Sequence, residues 1–208
     1  MPLTNDVAVR RKTGVQAEAT RQRQRTILDA ALAAFTEVGY NAASLRDVAA
    51  RAGISHTGLL HHFPDKPGLL EAVLDGLIGD TSTEFGFGSS DGTVVMRALI
   101  AATERDIQDP ALLRFHCLVT AEALNPSHPA HGYMKNWHRT VHQRLTEAFT
   151  DLEARGLYLG APLTPRDAAV QASALRDGAI TTWLLDPAEV DLVAAVKASL
   201  QRFVALDT

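Results

Sequence analysis

The stretch SLRDVAARAGISHTGLLHHF, residues 44–63, decides how the rest of the chain is interpreted. In its first half, apolar residues recur at helical spacing, and Ser44 with Asp47 can cap the start of a short helix. Gly53 can take the positive φ that ends this helix and turns the chain. Ser55 is then placed to cap a second short helix. The stretch therefore predicts two short helices joined by a tight turn.

The second of these helices has little apolar surface. Only Leu59 and Phe63 are placed to enter a core, and the remaining side chains are small or hydrogen-bonding. Burial alone explains such a helix poorly, whereas a helix-turn-helix requires a short polar helix that approaches the major groove of DNA closely. We therefore predict a DNA-binding helix-turn-helix that uses Arg25, Ser44, Ser55, His56, Thr57, Gly58, His61, His62 and Lys66.

These contacts are expected to be of two kinds. Phosphate contacts, which hold the protein in register, are assigned to Arg25, Ser44, Ser55 and Lys66. Contacts to base edges are assigned to His56, Thr57 and His61, with Gly58 allowing close approach. Either histidine can instead bind phosphate, and the residues alone leave that choice open.

Several short motifs in this region resemble the DNA-binding domain of the TetR family of transcriptional regulators. They are Gly39-Tyr40, Ser44 with Val48-Ala49, Ala52-Gly53-Ile54-Ser55 and His62-Phe63-Pro64-Asp65-Lys66, in the order and spacing of the family. The resemblance implies an all-α protein of nine helices and two domains. A three-helix DNA-binding domain would come first, and a helical ligand-binding and dimerisation domain would follow. The family's usual tyrosine is Leu60 here, so the phosphate contact of that hydroxyl cannot be carried over.

Composition and charge agree with a DNA-binding protein. The chain has 208 residues and one cysteine, Cys117, which excludes an intrachain disulfide and is typical of a reducing cytoplasm. Neither a signal peptide nor an apolar run long enough for a membrane span is recognisable. Residues 1–66 hold nine Lys or Arg against six Asp or Glu, whereas residues 67–208 hold eleven against eighteen. This asymmetry favours a protein that meets polyphosphate at one end.

Three segments are expected along the chain. They are a flexible basic arm at residues 1–19, containing Arg10, Arg11 and Lys12, the helix-turn-helix domain at 20–66, and a ligand-binding and dimerisation domain at 67–208. Besides the two short helices, helices are predicted near residues 20–38, 66–80, 93–107, 110–124, 129–155, 165–185 and 188–205.

The last two predicted helices are more apolar than one partner helix can cover. We expect the excess to form a homodimer interface, which would also place two recognition helices about 34 Å apart on a palindromic site. The resemblance to the TetR family also implies that the last two helices form the dimer interface. The expected interface residues are Ala172, Leu175, Ala179, Leu184, Val193, Val196, Leu200 and Phe203. Core packing within the chain is the alternative for each of them.

The middle helices are expected to enclose a pocket for a small-molecule effector. Aromatic residues and methionine suit an adaptable apolar cavity, although core packing is the stronger alternative for any single residue. The candidate lining residues are Met96, Leu99, Phe115, Leu118, Met134, Trp137, Val141 and Trp183.

Five of the eight histidines lie between residues 116 and 142. His138 and His142 are four residues apart on one predicted helix, which is a workable spacing for two metal ligands. A metal-sensing regulator is therefore an alternative, but surface histidines are the ordinary explanation, and no metal or other cofactor is expected.

The sequence contains no phosphate-binding loop, no nucleophile elbow and no catalytic carboxylate pair, so an enzyme is not expected. It instead predicts a homodimeric, ligand-responsive transcriptional regulator. This protein would repress by binding a palindromic operator in double-stranded DNA, and a small apolar ligand would release it. A helical small-molecule-binding protein without DNA binding is the second alternative.

Overall fold

The computed structural model describes the backbone of residues 5–84 and 86–205 and the side chains of residues 18–76 and 86–205. Apart from an isolated bridge between Tyr158 and Val204, the regular structure in these ranges is helical. The helices are α1 (Asn5–Ala42), α2 (Leu45–Arg51), α3 (His56–His62), α4 (Lys66–Glu84), α5 (Gly92–Asp106), α6 (Pro110–Glu122), α7 (His131–Ala154), α8 (Pro165–Leu185) and α9 (Leu192–Leu200). Their order confirms the all-α prediction. No helix in the described part is long and apolar enough to cross a membrane.

The chain divides into two compact units, Met1–Val73 and Leu74–Thr208. The division therefore lies inside α4, whereas the sequence placed it between residues 66 and 67. This difference arises because α4 begins by burying Leu69, Leu70 and Val73, which belong to the first unit.

Helix α1 begins much earlier than the sequence predicted. Its backbone is helical from Asn5, so residues 5–19 lie within a helix rather than in the expected flexible arm. Alanine, arginine, lysine and glutamine favour helices, and extending an existing helix costs less than starting one. Residues 1–4 and the side chains of Arg10, Arg11 and Lys12 lie outside the described part.

The first unit is built on the apolar side of α1. Ile27, Ala31 and Phe35 are buried, whereas Val38 is 49% exposed. The helical path is interrupted immediately afterwards at Gly39, with φ 78° and ψ 162°, where the sequence predicted the helix to stop. Tyr40 is thereby turned inward, and its ring centroid lies 5.6 Å from that of Phe35. Tyr40 therefore packs in the core of this unit beside Phe35.

The second unit has a continuous apolar core to which α5, α6, α7, α8 and α9 all contribute. Phe149 of α7 lies at its centre, with its ring 5.5 Å from that of Phe203 and 5.9 Å from that of Tyr158. The α9 helix begins later than predicted because Asp191 caps it, accepting a hydrogen bond from the Ala194 amide at 2.9 Å. Residues 201–203 continue as turns, and the Leu159 amide donates to the Phe203 carbonyl at 2.8 Å.

Candidate DNA interface and ligand cavity

Helix α3 presents a polar face to solvent. Its apolar side chain Leu59 is fully buried, and Phe63 at its C-cap is buried too. His56, Thr57 and His61 are exposed. Leu59 and Phe63 thus anchor the helix, and its exposed side chains are available to another molecule. This arrangement is the one that a recognition helix requires.

Two serines that were expected to contact phosphate are helix caps. Ser44 Oγ accepts a hydrogen bond from the Asp47 amide at 3.1 Å and donates its own proton to the Asp47 carboxylate at 2.6 Å. A phosphate contact by Ser44 would therefore require its hydroxyl proton to turn away from the Asp47 carboxylate. Ser55 Oγ accepts from the Gly58 amide at 3.0 Å, so its hydroxyl proton can still be donated to DNA.

Gly58 has a structural role beside this cap. A Cβ atom at Gly58 would lie 3.1 Å from Ser55 Oγ, which is a tight contact. The absence of a side chain therefore makes room for the Ser55 hydroxyl as well as for an approaching ligand.

Lys66 stands at the first residue of α4. Its Nζ donates to the Asn41 carbonyl at 3.2 Å and lies 4.3 Å from the centroid of the Tyr40 ring. The start of the helix is not open, because Asp65 Oδ1 accepts a hydrogen bond from the Gly68 amide at 2.7 Å. A phosphate at this helix start would meet the Asp65 carboxylate, so any phosphate contact here depends on the Lys66 ammonium.

The other expected DNA contacts differ in exposure. Arg25 on α1 is exposed, whereas His62 and the neighbouring Leu60 are half-buried. Arg46, near the start of α2, is an exposed basic residue that the sequence reasoning did not single out. Nothing in its spacing distinguished it from an ordinary surface arginine.

The second unit encloses a cavity of about 120 Å³. Its apolar wall is contributed by α5, α6 and α7 and by residues Leu74 and Phe87. The remaining apolar lining residues are Ala98, Leu99, Ala102, Leu112, Leu113, Phe115, Trp137, Val141 and Leu145. Such a cavity, mostly apolar with a few polar groups, is typical of a small-molecule site.

One wall of the cavity is charged. Asp106 bridges two arginines, with Oδ1 2.8 Å from Arg105 Nη2 and Oδ2 2.5 Å from Arg176 Nη2. The Arg176 Nε group also donates to the buried Thr103 hydroxyl at 3.3 Å. These bonds join α5 to α8 and neutralise one of the two positive charges.

Three further ionisable groups, His116, His138 and Asp177, line the cavity beside this network. The two imidazole rings have their centroids 6.5 Å apart. Burial is the largest influence on His116 and lowers its pKa to about 4, despite the opposing charge of Asp177. The imidazole of His116 is therefore neutral at pH 7. In the described part of the chain, the Asp177 carboxylate makes no hydrogen bond or ion pair.

The cavity contains four of the eight residues that the sequence suggested for it, namely Leu99, Phe115, Trp137 and Val141. Met96 and Met134 are instead buried in packing, with 0% and 3% of their surface exposed. Leu118 points outward and is 41% exposed, and Trp183 packs against the core. The charged lining residues were missed because they are separated in sequence and resemble surface charges on their own helices.

The residues proposed for a dimer interface also divide into two groups. Ala172, Val196, Leu200 and Phe203 are buried inside this unit, which agrees with the core-packing alternative. Leu175 is 40% exposed, and Ala179, Leu184 and Val193 are half-buried. The exposed side of α8 and α9 instead carries small residues, which are Ala174, Gly178, Ala194 and Ala198.

The histidine pair does not form a metal site of three ligands. The ring centroids of His138 and His142 are 6.4 Å apart, and no group of three or more His, Cys, Asp or Glu side chains among the described residues could hold a metal ion. Burial raises the pKa of the Cys117 thiol, which favours an inert side chain.

Comparison with known proteins supports the assignment of the first unit. Residues 27–73 match the family model described as bacterial regulatory proteins, tetR family. The regulator BetI of Serratia proteamaculans is 46% identical over 56 residues, which are 27% of this chain and 28% of that relative. The regulator SrpR of Pseudomonas putida is 32% identical over 151 residues, which are 69% of this chain and 67% of that protein. The likeness therefore extends beyond the helix-turn-helix.

Solved structures show the same fold. NalD, described as the secondary repressor of the MexAB-OprM multidrug efflux pump in Pseudomonas aeruginosa, is 22% identical, with a TM-score of 0.70 over 90% of this chain and 98% of that one. The complex of SmeT with triclosan is 21% identical, with a TM-score of 0.74 over 88% of this chain and 92% of that one. With the family model and the SrpR alignment, these likenesses lead to one conclusion: the chain belongs to the TetR family of transcriptional regulators.

Proposed function

We propose that this protein is a cytoplasmic, homodimeric repressor that binds a palindromic DNA operator and is released from it by a small molecule. The observation that carries the proposal is the polar, exposed face of α3, which is held to its unit by the buried Leu59 and Phe63. The cavity in the second unit supplies a place for the effector. SmeT, which shares the fold, is described in complex with triclosan.

The DNA contacts are divided between sequence reading and positioning. His56, Thr57 and His61 face base edges or adjacent phosphates. Ser55 donates its hydroxyl proton to a phosphate, and Arg25 and Lys66 add charge. The basic residues near the start of α1 raise affinity and salt dependence without reading the sequence. Neither Ser44 nor the capped start of α4 is given a DNA contact in this scheme.

The homodimer is proposed to form through the exposed side of α8 and α9. Small residues there allow two helices to approach closely, and Leu175 adds apolar area. A two-fold dimer would present two α3 helices to successive major grooves, which explains why one short helix suffices in each subunit.

The effector is proposed to act by changing the spacing of the two α3 helices. Helix α4 contributes residues to both units, including Leu74 in the cavity wall. A ligand can shift the DNA-bound population only by the difference in its affinity for the two spacings. Tight binding without such a difference would leave DNA occupancy unchanged.

Selection from a pool of random duplexes tests the DNA-binding part of the proposal. The purified full-length protein is expected to enrich one two-fold symmetric sequence, with affinity that falls steeply as salt increases. Enrichment of no sequence at low salt would contradict the proposal and leave the cavity as the functional site.

Replacing Lys66 with alanine is expected to weaken binding to all duplexes by a similar factor and to reduce the salt slope by about one. The reason is that an ammonium at a phosphate contributes affinity without reading bases. Fluorescence anisotropy with the selected site and a scrambled site, over a salt series, measures both quantities. Lys135→Ala, which removes an exposed lysine of α7, is the matched control.

Thr57→Ala provides the contrast, because it should change base preference and leave the salt slope unaltered. Lys66 also contacts Asn41 and Tyr40, so thermal melts must show that Lys66→Ala remains folded. A changed base preference with unchanged affinity in Lys66→Ala would show that the phosphate assignment is wrong.

Gly178→Arg is expected to convert the dimer to a monomer. In a single chain a Cβ at Gly178 meets no atom within 4 Å, so the arginine is tolerated until a second subunit packs against it. Sedimentation equilibrium measures the mass. Gly132→Arg introduces the same side chain at an exposed glycine of α7 with equally open surroundings and should remain dimeric. A dimeric Gly178→Arg protein would place the interface elsewhere.

A further inference from the structure

The cavity carries information about the chemical class of its ligand. Its volume of about 120 Å³ is close to that of the engineered cavities of about 150 Å³ that bind benzene. A single aromatic ring, or an apolar group of similar size, therefore fits this cavity.

The apolar wall favours an aromatic or cationic group. Phe87, Phe115 and Trp137 all line the cavity. Aromatic faces attract cations because the ring quadrupole is negative at its face. The apolar surroundings also strengthen any charge interaction made inside the cavity.

The two carboxylates on the polar wall differ in whether they pair with another group of the protein. Asp106 is held by both Arg105 and Arg176. Asp177, the next residue along α8, also lines the cavity, but among the described residues its carboxylate makes no ion pair or hydrogen bond. A carboxylate in a partly buried site without such a partner favours a ligand that brings a positive charge.

The neighbouring histidine does not neutralise this carboxylate. Burial holds the pKa of His116 at about 4, and the positive charge of Arg176 and the nearby His138 also oppose protonation. His116 consequently remains neutral near pH 7, although Asp177 favours its charged form. His116 therefore provides no ion-pair partner for the Asp177 carboxylate.

An anionic ligand fits this wall less well. The two arginines that could receive it already share Asp106, and the anion would lie in the same cavity as Asp177. Like charges in a site of low polarity repel strongly. A neutral ring compound would fill the cavity but leave Asp177 without a partner.

We propose that the effector is a small protonated amine carrying one aromatic ring or a similar apolar group, with its ammonium bound to Asp177 and its ring against Phe87, Phe115 and Trp137. This inference names the effector class for the site in the proposed function and rests on that function. It is distinct from the DNA-binding claim, because ligand binding can be measured without DNA.

The test compares three compounds of similar size: benzylamine, benzyl alcohol and benzoate. Each is titrated into the purified full-length protein by calorimetry, and tryptophan emission gives a second readout because Trp137 lines the cavity. Benzylamine is expected to bind at least about tenfold more tightly than either of the others, since a charged hydrogen bond replaces a neutral or repulsive contact.

Asp177→Asn removes the charge while keeping the shape of the side chain. It is expected to weaken benzylamine binding at least about tenfold and to change benzyl alcohol binding by less than about twofold. Benzyl alcohol thus reports that the cavity of the variant is intact. Glu104→Gln removes the same charge from an exposed position on α5 outside the cavity lining and should leave all three affinities unaltered.

Three outcomes would overturn the inference: benzoate or benzyl alcohol binding as tightly as benzylamine, Asp177→Asn retaining full affinity for benzylamine, or no binding of any of the three compounds. Adding benzylamine to the protein on its selected DNA separates this inference from the proposed function. If benzylamine bound through Asp177 and yet released no DNA, that result would support the proposed ligand class and contradict the proposal that the effector releases the protein from DNA.

Discussion

Phe149→Ala is expected to lower the free energy of unfolding of the second unit by roughly 3–5 kcal/mol. Phe149 is 0% exposed, and its ring packs edge-on against both Tyr158 and Phe203. Alanine would remove these contacts and leave a cavity at the centre of the core. Urea unfolding followed by tryptophan emission measures the loss, because both tryptophans, Trp137 and Trp183, lie in this unit.

Two variants give the scale for this measurement. Phe149→Leu retains most of the side-chain volume and should cost about 1.5 kcal/mol or less. Leu124→Ala truncates a side chain that is 79% exposed and should change stability by less than about 0.5 kcal/mol. If Phe149→Ala lowered the free energy of unfolding no more than Leu124→Ala does, the aromatic cluster would not be what stabilises this unit.

Gly92→Ala is expected to destabilise the same unit by about 2–3 kcal/mol although it adds only one methyl group. Gly92 begins α5 where it meets α7. A Cβ atom there would overlap the Ala148 carbonyl oxygen and lie 2.8 Å from Leu152 Cγ. The close approach is held by a hydrogen bond of 2.9 Å from the Gly92 amide to Asp151 Oδ2. Alanine would force α5 away from α7 and lengthen this bond.

Gly132→Ala is the matched control, because Gly132 is also near the start of a helix. A Cβ atom at Gly132 would meet nothing within 4 Å, so alanine should stabilise the helix by about 0.5–1 kcal/mol. Thermal unfolding of the two variants side by side gives the sign of each effect. Equal stabilisation by both substitutions would mean that α5 has space to move at Gly92.

The helix-turn-helix could be predicted from sequence because its determinants are local. Ser44, Gly53 and Ser55 act within a few residues of their own positions, and the structure shows both caps and a φ of 66° at Gly53. Local signals also located the interruption at Gly39 and the end of α8 at Leu185. The early start of α1 was missed because weakly periodic residues were interpreted as irregular, although their intrinsic helix preference is high.

Sites made by distant residues could not be predicted in the same way. Helical periodicity shows that Ala172, Val196 and Phe203 lie on apolar faces, but it does not show whether their own chain or a second subunit covers those faces. The structure buries them within the unit and exposes Ala174 and Gly178 instead. In the same way, periodicity does not show which residues of different helices meet around the cavity.

By itself, the sequence determined that this chain is helical, that residues 44–63 form a polar-faced helix-turn-helix, and which family it resembles. Only the tertiary structure decided that Asp106 pairs with Arg105 and Arg176 while Asp177 faces the same cavity unpaired among the described residues. The physical reason is distance along the chain. Caps and turns depend on neighbouring residues, whereas burial and charge pairing depend on helices that meet only after the chain has folded.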